Sequence, residues 1–129
     1  MNMTSDHHND KQYNLEDRLL DYAAMVIKLV EHLPSTRAGN HIAGQLIRSG
    51  TSPLSNHAEA EAAESRADFI HKLRICLKEL RESKRWLRLI HKVIASNSVP
   101  ELTAILAETD ELIKIFVASI KTASQRKSD

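Results

Sequence analysis

The stretch RSGTSPLSNHAEAEAAESRADF, residues 48–69, decides how many helices the chain forms. It places a glycine, Pro53 and several serine and threonine side chains in a region whose neighbours have helical spacing. Small residues allow two helices to approach closely, and a proline inside a helix removes one backbone donor and bends the helix. A loop here would leave residues 42–47 too short to cross a bundle. The stretch therefore predicts one kinked helix over about residues 40–62, with a new helix beginning at Ser65.

The composition favours an all-α protein of one domain. The chain has 129 residues with only three glycines and three prolines, and 42 % of its residues are hydrophobic. A chain of this length buries enough surface to fold alone, and the scarcity of turn-forming residues points away from sheets. Apolar side chains recur every three or four residues along most of the chain, which is typical of helices.

The single cysteine and the polar amino-terminal segment bear on where the protein resides. Cys76 has no second cysteine to pair with, which suits a reducing cytoplasm. The segment MNMTSDHHNDKQY lacks the apolar core of a signal peptide, and nowhere do about eighteen apolar residues follow one another. The sequence therefore predicts a soluble cytoplasmic protein with no membrane span.

Capping residues mark the start of three helices. Asn14 precedes an apolar repeat with acidic residues in its first turn, which is typical of a helix start. Ser65 opens a capping box with Asp68, immediately before an apolar run. Residues 98–101 read Ser-Val-Pro-Glu, which predicts a second capping box with proline in the first turn.

The third predicted helix has the clearest apolar seam. Its members alternate steps of four and three: Phe69, Leu73, Cys76, Leu80, Ser83, Leu87, Ile90 and Ile94. Four amphipathic helices with short connections predict an antiparallel up-and-down four-helix bundle with a kinked second helix. The bundle is predicted over residues 13–123, between disordered tails at residues 1–12 and 124–129.

A basic stripe runs along the third helix. Six basic residues are spaced by four, three, four, three and four: Arg74, Lys78, Arg81, Arg85, Arg88 and Lys92. Residues 66–92 hold nine basic residues and three acids, a local net charge of +6 in a chain whose net charge is +1. A helical line of cations can follow phosphates, whose neutralisation releases counterions. The stripe is the strongest functional signal in the sequence and makes RNA a candidate partner.

The alternative interpretation of the stripe is a solvated face that pairs with acids of neighbouring helices. Charged outer faces are common on helices, and no aromatic residue interleaves with the stripe to stack bases. The candidate acids lie on the first and last predicted helices: Glu16, Asp17, Asp21, Glu108 and Glu111. Their positions relative to the stripe distinguish the two interpretations.

A second apolar flank adjoins the seam in the carboxyl-terminal half of the third helix. It consists of Trp86, Leu89 and Val93. Either the bundle interior is broad at this level or the flank packs against another chain, since exposed patches around a tryptophan are typical of interfaces. These three residues are the candidate oligomer interface.

The polar residues around Pro53 suggest a structural role. Asn56 and Glu59 are placed to bond the backbone that Pro53 frees, or to bond Arg48 one or two turns away. Arg48, Pro53, Asn56 and Glu59 are therefore the residues predicted to hold the kink.

No catalytic or metal-binding pattern is complete. Asp68 and His71 give one copy of an acid-x-x-His spacing that di-iron bundles need twice, and Glu64 is the only other polar residue that converges on them. Cys76 falls on the apolar seam, where burial raises the pKa of a thiol. A glycine-rich phosphate loop is also lacking. The sequence predicts a non-enzymatic protein with no metal and no cofactor.

The segment with the unusual proline resembles a known family. The matching residues are Gln45-Leu46-Ile47-Arg48, Ser52, Asn56, Ala58-Glu59, Ser65, Asp68-Phe69 and the region of Lys78-Glu79. They resemble the bacterial four helix bundle proteins, also called ribosomal RNA intervening-sequence proteins because some are encoded inside insertions of large-subunit ribosomal RNA genes. The resemblance extends over about residues 15–120.

The resemblance implies a ring-like homopentamer with no established enzymatic activity. The chain is also similar to the accessory variability protein of diversity-generating retroelements, a basic pentamer that contacts a reverse transcriptase and nucleic acid. With the stripe, this predicts a homo-oligomer that binds RNA, or a protein that handles RNA, through residues 74–92. The alternative is a purely structural protein interaction module whose stripe forms intersubunit salt bridges.

Overall fold

Four helices account for most of the described chain. The computed structural model of the protein describes residues 14–94 and 99–126. These residues form no strand and four helices, α1 (Leu15–Val30), α2 (Arg37–Glu61), α3 (Arg66–Val93) and α4 (Leu102–Gln125). The predicted all-α four-helix bundle is confirmed.

Helices that follow one another in the chain are neighbours in space and run antiparallel. Each helix packs against the next, and α1 closes the bundle against α4 through a smaller contact. At one end, His32 Nδ1, just after α1, lies 3.0 Å from Glu101 Oε2, just before α4. At the other end, Lys72 Nζ of α3 lies 2.6 Å from Glu59 Oε1 of α2. These pairs show which helix ends are adjacent, as the up-and-down order of the bundle requires.

Two of the three predicted helix starts have the expected caps. The Asn14 side chain accepts a hydrogen bond from the Asp17 backbone N–H at 3.0 Å, and Ser65 accepts one from the Asp68 N–H at 3.1 Å. Side-chain oxygens at these positions satisfy amide donors that the first helical turn leaves unpaired. For α4, Glu101 occupies the cap position without a side-chain cap bond, and the serine predicted as cap, residue 98, lies outside the described residues.

The carboxyl-terminal end of the bundle lies beyond its predicted boundary. α4 continues to Gln125, two residues beyond the predicted end of the bundle at residue 123. Ser124 and Gln125 of the predicted carboxyl-terminal tail are therefore helical. The tail predicted for residues 1–12 lies outside the described residues, as do residues 127–129.

The α2 helix runs without interruption through Pro53, as the sequence predicts. Proline carries no N–H, so the Ser49 carbonyl loses its usual helical donor four residues on. The neighbouring glycine explains why small residues collect here. A Cβ atom built on Gly50 would lie 2.6 Å from Cγ2 of Val26, so only glycine allows α1 and α2 to approach this closely. Residues 48–61 are therefore part of α2, and the small side chain at position 50 allows α1 to pack closely against it.

The apolar seam of α3 forms the centre of the core. Six of its eight predicted members are buried, and the two terminal members, Phe69 and Ile94, are partly buried against the same core. The sequence pattern therefore identified the inward face of α3 correctly.

A layer of four buried polar side chains crosses this core, one from each helix. Its members are Tyr22, Ser49, Ser83 and Thr109, each 0 % exposed. The Thr109 hydroxyl donates to the Ile105 carbonyl at 2.6 Å, so the Tyr22 hydroxyl donates to Thr109 Oγ1 at 2.7 Å. Ser83 Oγ donates to Ser49 Oγ at 2.8 Å. Because buried hydroxyls are costly without partners, these bonds fix the register of the four helices.

Candidate nucleic-acid interface

The basic stripe lies on the outer face of α3. All six of its residues are exposed, whereas the seam residues on the other side of the helix are buried. Arg74 and Lys92 are eighteen residues apart, which corresponds to about 27 Å along a helix. α3 therefore presents a straight row of cations on a rigid, packed rod.

The stripe residues have no ion-pair partner in the part of the chain that the structure describes. Their nearest acids on α3 are taken by another helix, because Arg48 of α2 donates to Glu79 Oε1 at 3.0 Å and also to Glu82. The stripe is therefore an uncompensated positive surface within one chain.

Two of the acids named as possible stripe partners pair with other residues. Glu108 pairs with Arg18 at 2.7 Å, and Glu111 lies 3.5 Å from Lys114 in its own helix. On α4, the acid that does reach α3 is Asp110, which pairs with Lys84 at 2.8 Å, and Lys84 is outside the stripe. Pairing of the stripe within one chain, which the alternative interpretation allowed, is not observed among the described residues.

A shallow hollow of about 250 Å³ lies between α3 and α4 beside the stripe. Its lining consists of Arg81, Lys84, Arg85, Arg88 and Ile113. A second hollow of about 200 Å³, at the far end of the same two helices, is lined by Arg66, Phe69, Ala123 and Arg126. The positive surface thus extends from the stripe toward the groove between α3 and α4.

The predicted oligomer interface divides into two parts. Trp86 is partly buried, because its Nε1 donates to Glu82 Oε2 at 3.1 Å and its ring meets His41 edge to face at 6.0 Å. Leu89 and Val93 are 41 % and 69 % exposed, among the largest exposures of apolar side chains in the described chain. The tryptophan therefore packs toward α2 within its own chain, and the two aliphatic residues remain exposed.

The residues predicted to hold the kink do not act together. Asn56 Nδ2 donates to Ser52 O at 3.1 Å and to Ser52 Oγ at 2.9 Å, within its own helix. Arg48 and Glu59 instead reach across to α3, through Glu79 and Lys72 respectively. The prediction that Glu59 bonds Arg48 or the backbone near Pro53 was wrong, because carboxylates on this face of α2 meet basic residues of the antiparallel neighbour.

The structure assembles no catalytic cluster from the predicted candidates. Glu64 and Asp68 line an open hollow at the turn between α2 and α3, and no three metal-binding side chains among residues 14–94 and 99–126 are close enough to hold an ion. Cys76 is buried, its Sγ donates to the Pro53 carbonyl at 3.6 Å, and burial raises the pKa of its thiol to about 12. A thiol with this pKa stays protonated and is a poor nucleophile.

None of the four described helices combines the length and apolar character needed to cross a lipid bilayer.

The fold defines an all-α four-helix bundle protein whose third helix carries an exposed basic stripe. The chain belongs to the 23S rRNA-intervening sequence protein family, whose model matches residues 4–118. It is similar to a crystal structure of a protein of unknown function from the S23 ribosomal protein family of Bacteroides thetaiotaomicron VPI-5482. The two chains are 34 % identical with a TM-score of 0.75, over 84 % of this chain and 99 % of the other. Comparison with curated proteins found no match.

Proposed function

We propose that this protein is a non-enzymatic homo-oligomer that binds RNA through the basic stripe of α3. Contact is made with phosphates, so binding is independent of base sequence. The name of its family refers to an intervening sequence of 23S rRNA, which makes RNA the polyanion to test first.

The observation that carries the proposal is that the six stripe residues form no ion pair with any residue the structure describes, although acids lie on the same helix. Glu79 and Glu82 are held by Arg48 and therefore point toward α2. Six uncompensated cations in a row attract counterions, and a bound nucleic acid releases its own counterions when these cations replace them. The resulting gain in binding free energy is largest at low salt.

Mobility shift with a structured RNA at about 50 and 200 mM salt tests the proposal. We expect a complex at low salt that weakens by about three orders of magnitude at the higher concentration, as six phosphate contacts imply. Replacing Arg81, Arg85 and Arg88 with alanine should remove most of the binding. The absence of a complex at low salt would reject RNA binding.

A charge-matched variant controls for general loss of positive charge. Lys28, Arg37 and Lys114 lie on α1, α2 and α4, and all three are exposed. Their triple replacement with alanine removes the same charge as the stripe variant but leaves α3 unchanged. We expect it to retain nearly all of the binding, and an equal loss in both variants would show that the stripe is not the site.

The oligomer is the second part of the proposal. Leu89 and Val93 are exposed in the single chain, and burying such side chains against another subunit contributes about 25 cal/mol per Å². A pentamer of 14.6 kDa chains has a mass of about 73 kDa, which light scattering measures directly. A monomeric mass at micromolar concentration would reject this part and leave the RNA experiment unaffected.

The alternative, in which intersubunit salt bridges use the stripe, predicts a different result. Replacing Arg81, Arg85 and Arg88 would then dissociate the oligomer, and so would high salt. Under our proposal the same variant keeps its mass and loses RNA.

A further inference from the structure

We infer that the stripe is built for paired RNA, held by its backbone as a duplex, in preference to single strands. This inference rests on the proposed function and specifies its ligand. It is argued from the side-chain rings that lie near the cations on the outer face of α3 and from the stiffness of that helix.

The first observation concerns aromatic rings. Proteins that bind single strands without sequence preference stack successive bases on aromatic side chains, and each stacked base contributes about 1–3 kcal/mol. In the described chain the rings of Tyr22 and Phe116 are fully buried in the core, and Trp86 is held against His41 and Glu82 on the α2 side. The stripe therefore offers phosphates a row of partners, and among the described residues no tryptophan or tyrosine ring lies along it for successive bases.

Among the described residues, the Phe69 ring borders a cationic hollow. It lies with Arg66 and Arg126 at the far end of α3, and it is partly buried against the core. A single ring at this end can receive at most one base. It does not provide the series of stacking sites that a single strand needs along about 27 Å of helix.

The second observation concerns stiffness and charge density. α3 is one continuous helix, packed against α2 and α4, and its cations recur on average about every 5.4 Å, one helical turn. A duplex is rigid over this distance and presents one charge per about 1.7 Å of axis, roughly twice the density of one of its strands. A flexible strand must lose conformational entropy to align with such a rod, and it gains no stacking in return.

Counterion release gives the expected preference a magnitude. The logarithm of the binding constant falls with the logarithm of salt with a slope of about −0.9 per phosphate for a B-form duplex and about −0.7 for a single strand. For six contacts the slopes are about −5.4 and −4.2. For two forms that bind equally at about 1 M salt, this difference corresponds to about tenfold tighter binding of the duplex at about 0.1 M salt.

Fluorescence anisotropy with an RNA duplex and each of its two separated strands tests the inference. A length of about 16 base pairs exceeds the roughly 27 Å that the stripe covers, and the strands are chosen to have no self-complementarity. We expect tenfold tighter binding of the duplex, a slope near −5, and a slope smaller by about 2.7 when Arg81, Arg85 and Arg88 are replaced with alanine. These three residues are exposed, so circular dichroism should show an unchanged fold.

The possible results separate the inference from the proposed function. Equal or tighter binding of the single strands, lost in the stripe variant, would overturn the duplex preference and leave RNA binding intact. Binding of neither form at about 50 mM salt would overturn both. Phe69→Leu provides a further check, because weaker strand binding with unchanged duplex binding would show that strands use the Phe69 hollow while the stripe takes the duplex.

Discussion

The hydroxyls of Tyr22 on α1 and Thr109 on α4 lie 2.7 Å apart in the fully buried centre of the bundle. The contact between α1 and α4 is smaller than those between successive helices, and this hydrogen bond adds to it. It also sets the height of α1 relative to α4, since a shift of one turn would separate the buried Tyr22 hydroxyl from its acceptor on Thr109.

Tyr22→Phe should lower the free energy of unfolding by about 1–2 kcal/mol, because the buried Thr109 oxygen loses its donor. Urea unfolding measures the change. In the double variant with Thr109→Val both polar groups are removed, so the combined cost should be smaller than the sum by about 1 kcal/mol. Strictly additive costs would show that the two hydroxyls do not interact.

Two glycines of α2 should respond oppositely to replacement with alanine. Gly44 is exposed and has no neighbouring atom within 4 Å of an added Cβ, so Gly44→Ala should stabilise the protein by about 0.5–1 kcal/mol through helix propensity. At Gly50 the added Cβ would meet the stiff, buried Val26 side chain, so Gly50→Ala should destabilise it by about 1–3 kcal/mol. Thermal unfolding of both variants checks the pair, and changes of the same sign would contradict the packing of α1 on α2.

The protein should lose stability in alkaline solution through two buried groups. Burial raises the pKa of Tyr22 from 10.0 to about 12, although the neighbouring hydroxyls of Thr109 and Ser83 oppose the rise, and burial raises the pKa of Cys76 from 9.0 to about 12. The folded state keeps these protons while the unfolded chain releases them. The stability that each group contributes is complete below its unfolded pKa and is lost as pH rises toward 12.

For each group, the free energy of unfolding falls at most by about 1.4 kcal/mol per pH unit. Measuring the unfolding free energy from pH 8 to pH 11 should show a flatter dependence for Tyr22→Phe and for Cys76→Ala than for the natural chain. Identical slopes in all three proteins would mean that neither group titrates differently on unfolding.

Arg48→Ala should destabilise the protein by about 1 kcal/mol, because Glu79, whose side chain is only 14 % exposed, loses its cation. The change should also alter the fluorescence of Trp86, the single tryptophan, because Glu82 accepts from both Arg48 and the indole N–H. Lys114→Ala is the control, since its pair with Glu111 is exposed and should contribute less than about 0.5 kcal/mol. Equal effects of the two substitutions would argue against a structural ion pair between α2 and α3.

Leu89→Glu and Val93→Glu should reduce the solution mass toward the 14.6 kDa of one chain without changing helix content, if the proposed oligomer uses this flank. A charge buried between subunits without a partner is strongly unfavourable. Leu20→Glu on α1, at a site 55 % exposed, is the matched control and should leave the mass unchanged. Dissociation by Leu20→Glu alone would place the interface on α1.

Much of the fold could be predicted from sequence because the signals are local. The cap bonds of Asn14 and Ser65 involve residues three apart, and the seam of α3 follows from helical periodicity. The continuity of α2 through Pro53 followed from length, since a shorter helix would not span the bundle. The six stripe residues could be placed together on one face of α3 because their spacing follows helical periodicity.

The partners of these residues could not be predicted in this way. Ser83 was recognised as a seam position, but its bond to Ser49 depends on how α2 and α3 lie against each other. The ion pairs of Glu59 with Lys72 and of Glu79 with Arg48 likewise depend on how α2 and α3 lie against each other. A search for small polar residues on the seams of all four helices is the one sequence signal that points to the buried layer.

The amino-acid sequence by itself determined the helices, their inward faces and the row of cations on α3, because each follows from spacing within one helix. Only the tertiary structure decided that the row has no ion-pair partner among residues 14–94 and 99–126. Arg48 of α2 holds Glu79 and Arg18 of α1 holds Glu108, because an ion pair forms only between side chains that packing brings within about 4 Å.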